Sequence, residues 1–296
     1  MQVVTSLEIS GLEVFSKGKV RDVYDLGENL LIVASDRISV FDIVLPSGIP
    51  DKGKILTALS SFWFKHLENT SQHHLITDRV EEFPDSVKMY QDVLRHRSML
   101  VKKARRMDFE CIVRGYLAGS AWKEYSVSGT VGGCSLPEGI KENSKLEKPL
   151  FTPSTKADDG HDRNITIDEM RALAGSKPTE EVMARSLRLF EAASAFAEAR
   201  GVTLLDTKFE FGYLGDKIIL IDEALTPDSS RFLVEGSAGS EPVNLDKQFV
   251  RDFAEATGWD KSSQPPVLPG EVVTECRRRY LMLFEKLTGE TPPWAR

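Results

Sequence analysis

The chain has 296 residues, 41% hydrophobic and 28% charged, a balance that excludes intrinsic disorder and gives enough length for one large lobe or two coupled lobes. Its net charge of −7 argues against general nucleic-acid binding, and its longest apolar runs, such as LLIVA at 30–34, fall far short of the roughly 20 residues that a membrane-spanning helix needs. The first residues lack a basic start followed by an apolar block, and the three cysteines form no C-x-x-C pair, so the expectation is a cytoplasmic protein without a zinc site or disulfide framework.

The first hundred residues read as strands and turns, with KVRDVYDLG, NLLIVASD and VFDIVLPSG each ending in turn residues. ILTALSSFWFKHLENT has helical apolar spacing, and the apolar and basic segment at 98–125 joins this β-rich half, residues 1–107, to a mixed half, residues 108–296. Residues 129–164 are rich in Gly, Pro, Ser, Lys and Asp and read as long loops with short strands. ITIDEMRALAG and TEEVMARSLRLFEAASAFAEARG are helical, with Gly201 where the second would stop. LLDTKFEFG and KIILIDEAL then form an antiparallel hairpin across GYLGD, and VVTECRRRYLMLFEKLTG is a last helix. No internal repeat is visible.

Several stretches could carry chemistry. GIPDKGKI at 48–55 has the spacing of a phosphate loop, but Ile55 stands where a hydroxyl should meet magnesium, so it reads as a polar turn before a helix. SKGKVRDVY is a better phosphate candidate: a glycine turn entering a strand exposes N–H groups while Lys19 and Arg21 add charge. In LLDTKFEFG, alternation puts Asp206, Lys208 and Glu210 on one face. Glu210 and Asp222 are candidates for a magnesium ion, which takes one or two carboxylates and completes its shell with phosphate and water oxygens; a solvated ladder of ion pairs explains the same pattern. Asp222 shares the face of Glu210 only if paired residue numbers in the hairpin sum to an even value. Asp206 is expected to position Lys208. Arg114 and Ser120 around a glycine, and Arg231 after Asp228 and Ser229, suit an anion. KKARR reads as strand or surface charge, and His73 and His74 as a helix cap or solvent-facing pair.

These stretches carry a likeness. SKGKVRDVY, SDRISVFD, FECIVRGYLAGS, FTPSTKADDGHD, LLDTKFEFG and LTPDSSRF resemble, in order and approximate spacing, the longer form of the SAICAR synthetase family, and DKQFVRD extends the resemblance. Asp108, Thr207, Leu233 and Arg163 depart from residues usual there. The resemblance implies an α+β fold, a β-rich N-terminal lobe over a larger mixed lobe with ATP between them, as in kinases and ATP-grasp enzymes. It implies ATP-dependent ligation of the carboxylate of CAIR, an aminoimidazole ribonucleotide, to L-aspartate through an acyl phosphate, giving SAICAR, ADP and phosphate. By position, Lys19, Val20 and Arg21 would hold ATP phosphates with help from Lys208, Lys103 and Met107 would line the adenine pocket, and Glu210 and Asp222 would hold Mg2+. Lys208 and Asp222 would be catalytic. Arg114, Ser120 and Arg231 would take the ribonucleotide 5′-phosphate, and Asp36, Arg37 and Asp228 the rest of that substrate. Lys156, Asp162, Lys247 and Arg251 would meet aspartate or substrate carboxylates. A kinase-like phosphotransferase on another small molecule is the alternative, although the protein-kinase HRD and DFG set is missing; a nucleotide sensor is the third reading.

Overall fold

A computed structural model describes residues 3–156, 162–236 and 241–295. The first half holds β1 (Glu13–Lys17), β2 (Arg21–Asp25), β3 (Asn29–Ala34), β4 (Arg37–Val40), β5 (Ile43–Gly48), α1 (Lys52–His66), β6 (Leu75–Thr77), α2 (Gln91–Leu94) and β7 (Ser98–Lys102). The second holds β8 (Arg105–Tyr116), α3 (Gly119–Ser128), β9 (Thr130–Val131), β10 (Cys134–Ser135), β11 (Lys145–Thr155), α4 (Ile167–Ala174) and α5 (Ser176–Glu198). It continues through β12 (Thr203–Leu214), β13 (Lys217–Ile221), β14 (Ser230–Val234), β15 (Val243–Asn244), α6 (Gln248–Ala256) and α7 (Gly270–Thr288).

Two sheets organise these elements. The first has the order β1-β2-β3-β7-β6; the second runs β11-β8-β12-β14-β15, with β13 also on β12. The expected division at 107 falls inside β8, and apolar residues from both halves share one core, from Ile32, Leu56 and Val101 to Phe209, Phe211 and Tyr280. Among the described residues no helix is long and apolar enough to cross a membrane.

The second sheet owes its shape to alternation. On one face Val113, Cys111, Phe151, Phe209 and Phe211 are buried, and α5 packs there through Val182, Leu189, Phe190 and Ala193. Contact is close enough that a Cβ on Gly115 would lie 2.6 Å from the Phe190 ring, so β8 needs glycine at that point. Thr166 and Glu169 form a capping box that starts α4, and Gly201 ends the α5 segment at φ +68°. Residues 145–155, expected as loop and short strands, form the long β11; Pro149 and Pro153 masked its period, and the register with β8 slips between Lys145 and Leu150. LTPDSSRF, expected as a turn, enters β14 at Ser230.

Polar contacts tie the halves. His74 N–H donates to Leu220 C=O at 3.0 Å and Leu220 N–H to Gln72 C=O at 2.9 Å. The His74 ring is buried rather than solvent-facing, and its Nε2 donates to Asp222 C=O at 3.1 Å, so burial pushes its pKa down to about 4. Lys52, in the GIPDKGKI stretch, is fully buried and bonds Asp228 at 2.7 Å across the fold. Arg277 of α7 holds Asp51 at 2.6 Å beside it.

Two outcomes follow. Lys52→Met removes the charge-assisted hydrogen bond that buried Lys52 gives Asp228, with Lys247 left to balance the carboxylate, and should cost about 2 kcal/mol in urea unfolding, whereas Lys65→Met, which breaks an exposed pair with Asp78, should cost under about 1 kcal/mol. His74 has a folded pKa below its unfolded value, so it opposes folding increasingly as pH falls from about 6.5 to 4. In metal-free buffer it should remove about 2 kcal/mol between pH 7.5 and pH 5, a loss that His74→Gln abolishes in unfolding titrations at the two pH values.

Candidate active site

β12 presents Asp206, Lys208 and Glu210 on the face away from α5, and the neighbouring strands supply their partners. β8 places Arg114 opposite Asp206 and Glu110 opposite Glu210; β14 places Arg231 on the other side of Asp206. Asp206 Oδ2 accepts from Arg231 at 2.5 Å and lies 3.5 Å from Arg114. It therefore positions two arginines, and Lys208, which it was expected to hold, pairs with Glu110 instead.

Arg114 also donates to Thr152 at 2.9 Å and to Ser120 at 3.3 Å. Gly119, at φ +54°, begins α3 beside them, and a Cβ there would lie 2.1 Å from the Arg231 guanidinium. Glycine thus lets a helix N-terminus approach the arginine pair, an arrangement that favours anions. Arg114, Ser120 and Arg231 line a cavity of about 210 Å³ with Asp206, Lys208, Asp228 and Arg251. Four cationic and two acidic side chains face this space, in a chain whose net charge is −7. The buried Arg231 Nε has no acceptor among the described residues.

The second cluster lies at the other end of the same strand. The hairpin pairs Glu210 with Ile221, an odd sum, which by strict alternation sends Asp222 to the far face. Asp222 escapes because β13 ends at Ile221 and Asp222 turns left-handed at φ +62°, a conformation aspartate tolerates. Its carboxylate meets Arg21 at 2.7 Å, and its carbonyl receives His74. Burial, and next the Asp222 charge, raise the Glu210 pKa; burial opposes ionisation of Asp222 too, but Arg21, Lys156 and Lys208 hold its pKa below the usual range. Lys156 pairs with Glu210. Lys208 is penalised by burial, yet Glu110 and Glu210 keep it firmly protonated. Among the described residues no three His, Cys, Asp or Glu side chains converge as a metal site, so a cation here would rely on Glu210, Asp222 and oxygens brought by a ligand.

Other expectations change. Arg21 meets Asp222 and, at 2.7 Å, Glu223, so it secures the acid cluster rather than standing free for phosphate. Asp36 is fully buried, accepting from Val4 and Gly53 N–H and pairing with Arg97, which removes it from substrate contact. Arg37 spends its guanidinium on Gly18 and Lys19 carbonyls, Thr5 and Asp22, and so shapes the glycine turn. Lys19 is half-exposed and pairs with Asp42. Val20 and Met107 are buried, while Lys103 pairs with Asp25 at 2.5 Å. Lys247 bonds Asp228 at 3.0 Å. Asp162 is exposed, and His161 of the same stretch lies outside the described residues.

Glu110, Glu223, Lys52 and His74 had no assigned part. Glu110 was legible in part, because Glu110, Ile112 and Arg114 alternate on one face of β8; a lysine at a helix start and a histidine after a helix carry no such signal.

The SAICAR synthetase family model matches residues 14–266. Phosphoribosylaminoimidazole-succinocarboxamide synthase of Syntrophobacter fumaroxidans is 48% identical over 97% of this chain and 96% of its own, and that of Thermodesulfovibrio yellowstonii is 46% identical over 97% and 99%. A solved structure of SAICAR synthase from Saccharomyces cerevisiae, complexed with SAICAR, superposes with a TM-score of 0.87 at 38% identity, covering 98% of this chain and 99% of that one. With nearly all of its length matched at these identities, the chain belongs to the SAICAR synthetase family.

Proposed function

We propose that this chain joins the carboxylate of CAIR to the amine of L-aspartate with cleavage of ATP, and that the reaction takes place where the cationic cavity meets the acid cluster of β12. The observation that carries this is Lys208, which lines the cavity and also feels the charges of Glu110, Glu210 and Asp222. An ATP-dependent amide ligase needs such a junction: an anionic substrate on one side, nucleotide phosphates on the other and a cation between them.

A carboxylate resists attack by an amine because its leaving group would be oxide. Phosphoryl transfer from ATP to the CAIR carboxylate gives an acyl phosphate, whose phosphate leaves readily. Arg114, Ser120, Arg231 and the start of α3 bind the ribonucleotide 5′-phosphate, with Asp206 aiming both arginines. Lys208 offsets charge at the carboxylate being activated. Lys19, on the exposed glycine turn, serves the ATP phosphates, while Val20, Met107 and Lys103 bound the adenine side. Glu210 and Asp222 fit Mg2+, being paired acids held close enough for one to raise the pKa of the other; the ion would supply charge neutralisation at the nucleotide phosphates. Arg251 of the cavity wall, and Lys156 beside Glu210, receive the carboxylates of aspartate, with Lys247 beside Asp228 at the same end of the cavity and Asp162 on the loop beyond. The same reading places the enzyme in the cytoplasm.

Purified protein given Mg-ATP, CAIR and L-aspartate should form SAICAR and ADP in equal amounts, and only with all three substrates present. ADP release indifferent to aspartate would point to a kinase-like phosphotransferase, and ATP binding without turnover to a sensor. Arg231→Ala should raise the KM for CAIR by about 10- to 100-fold, the value of a lost charge-assisted hydrogen bond or two, and leave that for ATP within about threefold. Equal weakening of both substrates would show the phosphate site to be misplaced.

A further inference from the structure

Asp228 belongs to the wall of the cavity and is the centre of a buried network. Its Oδ2 accepts from Lys52 at 2.7 Å and from Lys247 at 3.0 Å, and its Oδ1 accepts from the Tyr280 hydroxyl at 3.2 Å. Two ammonium groups therefore share one carboxylate. Glu223, the next acid that Lys247 feels, is engaged by Arg21 and by the Thr226 hydroxyl. On α7 the Tyr280 hydroxyl and the Cys276 thiol, both pushed up by burial, stay protonated and supply no counter-charge. On its own segment Lys247 has Asp246 behind it, spent on the Phe232 and Gln248 N–H groups, and Arg251 one turn on, which adds positive charge.

One proton in this network is in excess, and the two lysines differ in which can release it. Lys52 is sealed at 0% exposure, whereas the Lys247 side chain keeps 11%, bonds Asp228 of the cavity wall and starts the helical turn that carries Arg251, another lining residue. Burial brings the Lys247 pKa down to about 8, with Asp228 opposing and Lys52 reinforcing the shift. Lys156 and Lys208 offer no such group, since each has a carboxylate of its own.

We infer that Lys247 is the base that takes the proton from the amine of L-aspartate. This rests on the ligase reading above. Aspartate arrives as an ammonium ion, and its nitrogen needs a free lone pair to attack the acyl carbon. As the C–N bond forms, the C–O bond to phosphate breaks and phosphate leaves with that electron pair. One ammonium proton passes to neutral Lys247 Nζ before attack, its new charge held by Asp228 until that proton returns to solvent, and the second proton shed by the nitrogen as the amide forms leaves with the phosphate as hydrogen phosphate. Arg251 and Lys247 thereby divide two tasks that proximity alone would merge: the arginine stays cationic for a carboxylate, and the lysine alternates.

The test compares wild-type protein with Lys247→Arg, which keeps the cation beside Asp228 but cannot release a proton, and with Lys247→Met as a second variant, all checked for folding by circular dichroism. With saturating substrates, wild-type kcat should rise with pH through a limb near 8. Both variants should lose about 100-fold in kcat and lack that limb, while KM values for ATP and CAIR change less than about threefold. Hydroxylamine, largely unprotonated at neutral pH, should replace aspartate in the variants at a rate within about tenfold of wild type. A limb retained in Lys247→Arg overturns the inference, as does equal loss with hydroxylamine and aspartate, or a rise confined to the aspartate KM. Wild-type protein that forms no SAICAR would instead defeat the ligase reading itself.

Discussion

Charge buried on a sheet face has to be neutralised where it stands, and the second sheet is arranged around that requirement. Asp206 is met from both neighbouring strands by Arg114 and Arg231, Glu110 by Lys208, Glu210 by Lys156, and Asp222 by Arg21. None of these pairs is an exposed ornament of the kind worth a fraction of a kcal/mol; losing one partner would leave a desolvated charge behind. The opposite face, with Phe209, Phe211 and Phe151 against α5, provides the apolar burial that allows the sheet to carry them. The same strands are thereby a core element on one side and a reaction surface on the other.

The charge pattern also joins the two halves of the fold. Arg21 comes from β2 and reaches Asp222 and Glu223, while Lys52 at the start of α1 reaches Asp228. Asp222, Glu223 and Asp228 are thus each fixed partly by a cation from the first half. His74 completes the joint, because its ring bonds the carbonyl of Asp222, the residue whose left-handed turn overcomes a hairpin register that would send its side chain to the far face. A single backbone angle decides whether the second acid of the cluster points into the site or into the core.

Much of this was legible in residue order. Alternation located β12 and its polar face, the hairpin with β13 followed from the turn between them, and the combination of stretches identified the family. Alternation could not reveal which strands lie beside β12. Asp206 and Lys208 look equivalent in LLDTKFEFG, yet β14 ends its overlap near Ser230 and gives Arg231 to Asp206 alone. Asp36 and Arg37 illustrate the converse: the resemblance implied substrate contact for both, but one is sealed against Arg97 and the other is engaged by the backbone of the glycine turn. GIPDKGKI was read as a polar turn before a helix, with no part for Lys52; burying it required Asp228, 176 positions away, a contact that has no local trace.

The spacing along β12 also sets a scale. A strand advances about 3.4 Å per residue, so Asp206 and Glu210 stand about 14 Å apart along the strand, with Lys208 midway. The arginine pair is fixed at one end and the Glu210–Asp222 acids at the other. On the reading proposed above, a ribonucleotide held by its 5′-phosphate at the first would extend its base towards the second and bring its carboxylate to Lys208. Strand length thereby converts affinity for a remote phosphate into position at the reacting carbon, which is where binding energy accelerates a reaction.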